Sequence, residues 1–223
     1  MRPVDKGEEP KEKYSNYQDA QKILEERIGA YCSFCELPVA HVPEVEHKEA
    51  KALGGDLLAW KNLLMSCKYC NTRKGKKVAA GEKDLYLWAD EDDTFHAYTY
   101  EKGIPRVNYH YLKEKGNDLE QRAVRMFRLI QLDHIPRPKE RDRRWNNRME
   151  TYNCAEESLE GWKKITDKTD KDLFLKQTLQ LAKAKGFFSV WMEVFKEYKE
   201  VQKRLIEEFE GTKEMYFSDI MRD

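Results

Sequence analysis

At 223 residues the chain is long enough for one ordinary domain, or for a small catalytic module joined to a helical body. Charged residues make up 37% and balance at 41 basic against 41 acidic, so net charge does not announce a nucleic-acid binder and only local clustering can. Apolar residues reach 40% with 12 Tyr and 5 Trp, which argues against a disordered chain, and no stretch approaches membrane-spanning length. The start is mostly charged and shows no secretory signal, so the expectation is a soluble, cytoplasmic protein. Five cysteines in a reducing compartment then need a reason other than a disulfide framework.

Residues 1–13 read as a frayed, polar start. From Asn16 to Ile28, Ala20, Ile23, Leu24 and Ile28 follow a helical period, with Asn16 as N-cap. A cysteine-rich core follows over about 30–82, with a Gly54-Gly55 loop and a short apolar strand at Leu63-Leu64-Met65. Residues 83–117 form an aromatic, turn-rich arm in which Phe95, Ala97 and Thr99 alternate, predicting strands or irregular structure. After Gly116 the chain turns helical. Leu119–Leu132 is one helix, stopped by Pro136 and Pro138; 139–165, 170–184 and 189–209 are the others. The fold class expected is therefore α+β: a small zinc-stapled core within 30–82, preceded by an arm and helix at 1–29 and followed by a helical region at 118–223.

Four of the cysteines fall into two pairs, Cys32/Cys35 and Cys67/Cys70. A C-x-x-C turn brings two thiolates to one tetrahedral ion, and a second turn completes the shell, which points to Zn2+. Four thiolates leave no open position for water, so this ion is structural. Cys154 stands alone and reads as a small buried residue. The 31 residues between the pairs exceed what a simple zinc ribbon needs. They hold Glu46-His47, Gly54-Gly55 and Asn62-Leu63-Leu64, and run into Asn71, Arg73, Lys74 and Lys76.

Val45-Glu46-His47, the Gly-Gly loop, Asn62-Leu63-Leu64, Cys67-x-x-Cys70-Asn71 and Lys74-Gly75, in that order, resemble the zinc-stapled HNH endonucleases, the His-Me finger or ββα-metal group. The resemblance covers about a fifth of the chain. It implies a β-hairpin carrying Glu46-His47 and the Asn62 strand, then a helix from near Lys68 carrying Asn71. It implies His47 as general base, Asn62 as the residue orienting the histidine and its loop, and Glu46 and Asn71 as ligands of a catalytic Mg2+ or Mn2+. Glu46 stands where the group often has Asp, and Asn71 where it often has His; both keep oxygen ligands for a hard ion.

Residues 61–80 carry six basic and no acidic side chains, which suits phosphate contact by Arg73, Lys74 or Lys76. A second stretch, Arg137–Arg148, has six basic against two acidic residues and reads first as a solvated helix face, with DNA contact as the alternative. His41 reads as satisfying its loop, and His96, His110 and His134 as structural or solvent-facing. The expected substrate is DNA, with an RNA-directed HNH-type toxin and a non-catalytic zinc module as alternatives. The order of elements is also similar to HNH nuclease subunits of bacterial anti-phage systems of the Septu type, found with some retrons. That resemblance implies an SMC-like or ABC-like ATPase partner. A site that cuts one strand at a time favours a homo- or hetero-oligomer. Trp162, Phe187, Phe188, Trp191 and Phe195 read as helical core rather than docking surface.

Overall fold

The computed structural model describes residues 1–12 and 14–222. Asn16 accepts a hydrogen bond from the Gln18 amide at 3.0 Å and so caps the turn that leads into α1 (Ala20–Ile28). Ala20, Leu24 and Ile28 recur every four residues and bury one face of that helix. Further on, β1 (Glu44–His47) pairs antiparallel with β2 (Leu63–Ser66), with Glu44 opposite Ser66 and His47 opposite Leu63. All of β2 is buried, as its unbroken apolar run requires. α2 (Lys68–Lys74) starts one residue after β2, and the Cys67 sulfur accepts from the Cys70 amide at 3.4 Å as its cap. The implied hairpin and following helix are thus both present.

The aromatic arm is mostly turns. It holds one small antiparallel pair, β3 (Tyr98–Thr99) with β4 (Arg106–Val107), and an unforeseen helix, α3 (Tyr109–Lys115), capped by Asn108. Trp88 and Ala97 of the arm are fully buried, and they join Leu63, Leu64 and Met126 in one core. The architecture is α+β, with two small sheets set among helices.

α4 (Asn117–Ile130) lies two residues earlier than the expected 119–132 and is ended by Gln131 in left-handed backbone at φ 48°, ahead of the prolines. α5 (Arg144–Lys164) begins later than the expected residue 139. Lys139 sits in left-handed backbone at φ 73°, which cannot propagate a right-handed helix, and Asp142 accepts from the Arg144 amide at 3.1 Å. α6 (Lys168–Lys185) is capped by Asp167. The single helix expected over 189–209 is two, α7 (Phe188–Val194) and α8 (Lys199–Glu208). The break carries no Gly or Pro. Burial of Phe195 holds it, and the Gln202 side chain donates to the Met192 carbonyl at 2.9 Å. α9 (Ser218–Met221) closes the chain. Trp162, Phe188, Trp191, Phe195, Leu205 and Phe217 form a second core, and Phe187 belongs to the first, so these aromatics are packing as expected. No helix among the described residues is long and apolar enough to cross a membrane.

Two further expectations are corrected. The start does not fray: Met1, Arg2, Val4 and Lys6 are buried, Val4 bridges Thr212, Arg2 donates to the Phe209 carbonyl at 3.0 Å, and Lys6 pairs with Asp90 at 2.8 Å (Lys13 lies outside the described residues). Charge concealed this because each buried cation has its own partner. The Arg137–Arg148 stretch is not simply a solvated helix face. Arg144 donates to the Ile130 carbonyl at 2.8 Å, and Arg148 to the carbonyls of Gly103 and Leu132 at 3.0 Å each; both side chains are buried.

Candidate active site

The first C-x-x-C turn is tight. The Glu36 amide donates to the Cys32 carbonyl at 2.8 Å, with Glu36 itself at φ 66°. The second spans the end of β2 and the first turn of α2. All four thiols are free and buried, their sulfurs lie within 4.8 Å of one another, and Cys35 and Cys67 sulfurs are 3.7 Å apart. Tetrahedral zinc with Zn–S near 2.3 Å separates its sulfurs by about 3.8 Å, so the cluster needs little rearrangement to hold the ion. Burial pushes the Cys35 and Cys70 thiols up, and four thiolates can share this volume only around a cation. The Arg144 guanidinium donates to the Cys70 sulfur at 3.4 Å from outside the cluster. The residues fit a closed four-thiolate zinc site. Cys154, half-buried, stands apart from it.

A different site lies beside the cluster, also built in part on α2. Glu46 and His47 from β1 and Asn71 from α2 line one pocket of about 260 Å3, together with Lys51, Gly75 and Lys76. His47 is fixed within it. Its Nε2 is 3.0 Å from the Leu57 carbonyl, which can only accept, so Nε2 carries the proton and Nδ1 keeps a free lone pair. The Tyr17 ring meets the imidazole edge-on at 4.7 Å. Burial lowers the His47 pKa below its ordinary value against the Leu57 bond, and the charges of Lys51 and Lys74 push the same way as burial. The ring is therefore neutral at pH 7.

Asn62 sits just before β2 and uses both ends of its amide. Its oxygen accepts from the Glu49 amide at 2.8 Å, and its nitrogen donates to the carbonyls of Glu49 at 3.2 Å and Asp56 at 2.7 Å. These bonds hold the loop that follows His47 and ends beside Leu57. Asn71 donates to Glu44 at 2.6 Å, an orientation that leaves its carbonyl oxygen without a protein partner among the described residues. Glu46 is nearly buried, which pushes its carboxyl up, while Lys74 at 2.8 Å pulls it back down. Lys74 contacts one carboxylate oxygen, and the other has no protein partner among the described residues. Two unengaged hard oxygens at one pocket suit a divalent cation such as Mg2+.

The three basic residues expected to meet phosphate separate here. Lys74 is fully buried and pairs with Glu46 at 2.8 Å. Arg73 points the other way and pairs with Glu140 at 2.7 Å. Lys76 is exposed at the pocket rim. His41 is exposed, His96 pairs with Asp93, His110 with Glu114 and His134 with Glu140, all outside the pocket.

A family model described as HNH endonuclease matches residues 32–77. This segment is an HNH endonuclease domain. Neither the curated proteins nor the solved structures yield a match to the chain. The HNH domain spans both sites, the thiol cluster at its ends and the oxygen-lined pocket between them. Four pocket features escaped the sequence reading: the Leu57 carbonyl, the Tyr17 ring, Lys51 and Glu44. Only Glu44 had a readable signal. It stands two residues before Glu46, and strand alternation puts both on one face.

Proposed function

We propose that the chain is a metal-dependent endonuclease that hydrolyses phosphodiester bonds in DNA, with His47 as general base and Glu46 and Asn71 as ligands of a Mg2+ or Mn2+ ion. The convergence of Glu46, His47 and Asn71 on one pocket, with His47 held in a single neutral tautomer, carries this reading. His47 takes a proton from water at Nδ1, the resulting hydroxide attacks phosphorus, and the phosphorus–oxygen bond to the leaving nucleoside breaks. Glu46 and Asn71 would hold a hard divalent cation, which would supply Lewis-acid stabilisation of the charge that develops as the phosphodiester is cleaved. Asn62 is a positioning residue: it sets the loop whose Leu57 carbonyl holds the imidazole. Glu44 fixes the Asn71 amide, and Lys76 at the rim meets substrate phosphate. The zinc in the thiol cluster is structural.

The similarity of the element order to Septu-type nuclease subunits supports a role in anti-phage defence beside an ATPase subunit. Plasmid cleavage tests the activity. With added Mg2+ or Mn2+ the parent protein cuts and His47→Ala, folded to the same extent, loses at least about 100-fold in rate. Undiminished cutting by His47→Ala removes His47 as the base.

A further inference from the structure

A second basic surface lies outside the HNH domain, on the segment joining α4 to α5. Residues 134–143 contain no helix or strand, and their sequence alternates Arg137, Lys139, Arg141 and Arg143 with Glu140 and Asp142 between them. Both acids are engaged within the protein, Asp142 buried and Glu140 half-buried at the groove. Glu140 accepts from Arg73 at 2.7 Å and meets His134 at 2.8 Å, and the buried Asp142 accepts from Arg144 at 2.8 Å. The four bases are exposed, and none has an ion-pair partner among the described residues. With Tyr69 and Asn146 they line an open groove of about 780 Å3.

The groove is built before any ligand arrives. The Arg137 amide donates to the Glu140 carboxylate at 3.1 Å and the Glu140 amide to the Arg137 carbonyl at 3.0 Å, closing the turn in which Lys139 takes its left-handed conformation. Asp142 is buried against Arg144, and Glu140, which lines the groove half-buried, is held by Arg73 and His134, so four exposed bases face one already paired acid. What faces solvent is cationic, although the chain as a whole is neutral.

Its position relative to α2 names the ligand. Tyr69 and Arg73, four residues apart, share the helix face that meets this segment. Asn71 and Gly75, also four apart, share the opposite face and line the HNH pocket. An α-helix with its side chains is about 10 Å across, close to the roughly 12 Å width of a duplex major groove. We infer that Arg137, Lys139, Arg141 and Arg143 form a phosphate-binding groove that holds the backbone of a DNA duplex on the side of α2 away from the HNH pocket. The identity of the polyanion rests on the nuclease reading; the cationic groove does not.

The test is duplex binding by anisotropy across a salt series, done in the His47→Ala background so that cleavage does not intervene. Replacing all four bases by Ala, a change that breaks no hydrogen bond or ion pair of these side chains, lowers affinity on the order of 100-fold at low salt. It also reduces the slope of log affinity against log salt by about 3 to 4. The triple variant Arg137→Lys, Arg141→Lys, Arg143→Lys keeps most of that slope, because phosphate neutralisation needs charge rather than shape. Unchanged affinity and slope in the Ala variant overturn the groove, leaving the surface to an acidic protein; so does duplex binding by the parent with no salt dependence. Plasmid cleavage by the chain with His47 intact reads the nuclease proposal separately. Mg2+-dependent cutting with unaltered duplex binding in the Ala variant defeats the groove alone, and a lost salt slope without any cutting defeats the nuclease reading alone.

Discussion

The thiol cluster and the oxygen-lined pocket share α2 and differ in almost every physical respect. The cluster is made of four buried soft donors that approach one another to within 4.8 Å, with no position left for solvent. The pocket offers hard oxygens with no partner among the described residues beside a neutral imidazole, with Lys76 exposed at its rim. A closed shell holds a fold together; an open one admits water and phosphate. One short domain thus sets a closed, soft donor set and an open, hard one along the same helix, which contributes Cys70 to the first and Asn71 to the second.

The largest expected difference between the two sites is in stability. Structural zinc binding is worth roughly 10–16 kcal/mol in small metal-folded modules, comparable to the whole stability of a domain. Cys67→Ser is therefore expected to abolish cooperative unfolding of the HNH domain and to release zinc, read by thermal melting and metal analysis. A parental melting curve with zinc lost breaks the assignment of the cluster as the staple. At the pocket the effect is smaller and lies in an ion pair. Lys74→Met leaves the nearly buried Glu46 carboxylate without its cation and is expected to cost about 3–5 kcal/mol in urea unfolding. Combining it with Glu46→Gln is expected to recover part of that loss, since no unpaired charge remains. A double variant as unstable as the sum of the singles contradicts the pairing.

Next in size is Asn62→Ala, which removes three hydrogen bonds from the loop between His47 and Leu57. Loss on the order of 1–3 kcal/mol is expected, with faster amide exchange confined to about residues 49–57. Uniform exchange across the domain goes against Asn62 as the pin of that loop. The smallest effect is on the pH profile. Only neutral imidazole accepts a proton, and burial lowers the His47 pKa, so the acidic limb of the cleavage profile is centred below the ordinary histidine value of 6.5. An acidic limb centred above 6.5 rules out a depressed base.

The thiol cluster and the strand at Leu63 were legible from local pattern, cysteine spacing and an apolar run, whereas the hairpin, α2 and the pocket residues were legible only through the ordered motif shared with HNH endonucleases, because no local period in 44–47 or 68–74 specifies them. The division between α7 and α8 was not, since tertiary packing of Phe195 and the Gln202 bond to Met192 break the helix without a Gly or Pro. Nor was the burial of Lys74, which follows the same basic run as exposed Lys76 and differs only by the carboxylate across from it. Charge in a sequence does not say which cations have buried partners. Met1, Arg2, Lys6 and Arg148 carry the same lesson at the start of the chain and in α5.

The central claim is that chemistry belongs to the pocket and not to the cysteines. Protein carrying zinc in its thiol cluster, dialysed free of weakly held cations, is the direct material for it. The account predicts no plasmid cleavage by this protein alone, full cleavage when Mg2+ or Mn2+ is restored, and no restoration in Asn71→Ala although its zinc and fold are retained. Cleavage by the zinc-only protein, or restoration undiminished in Asn71→Ala, would contradict it.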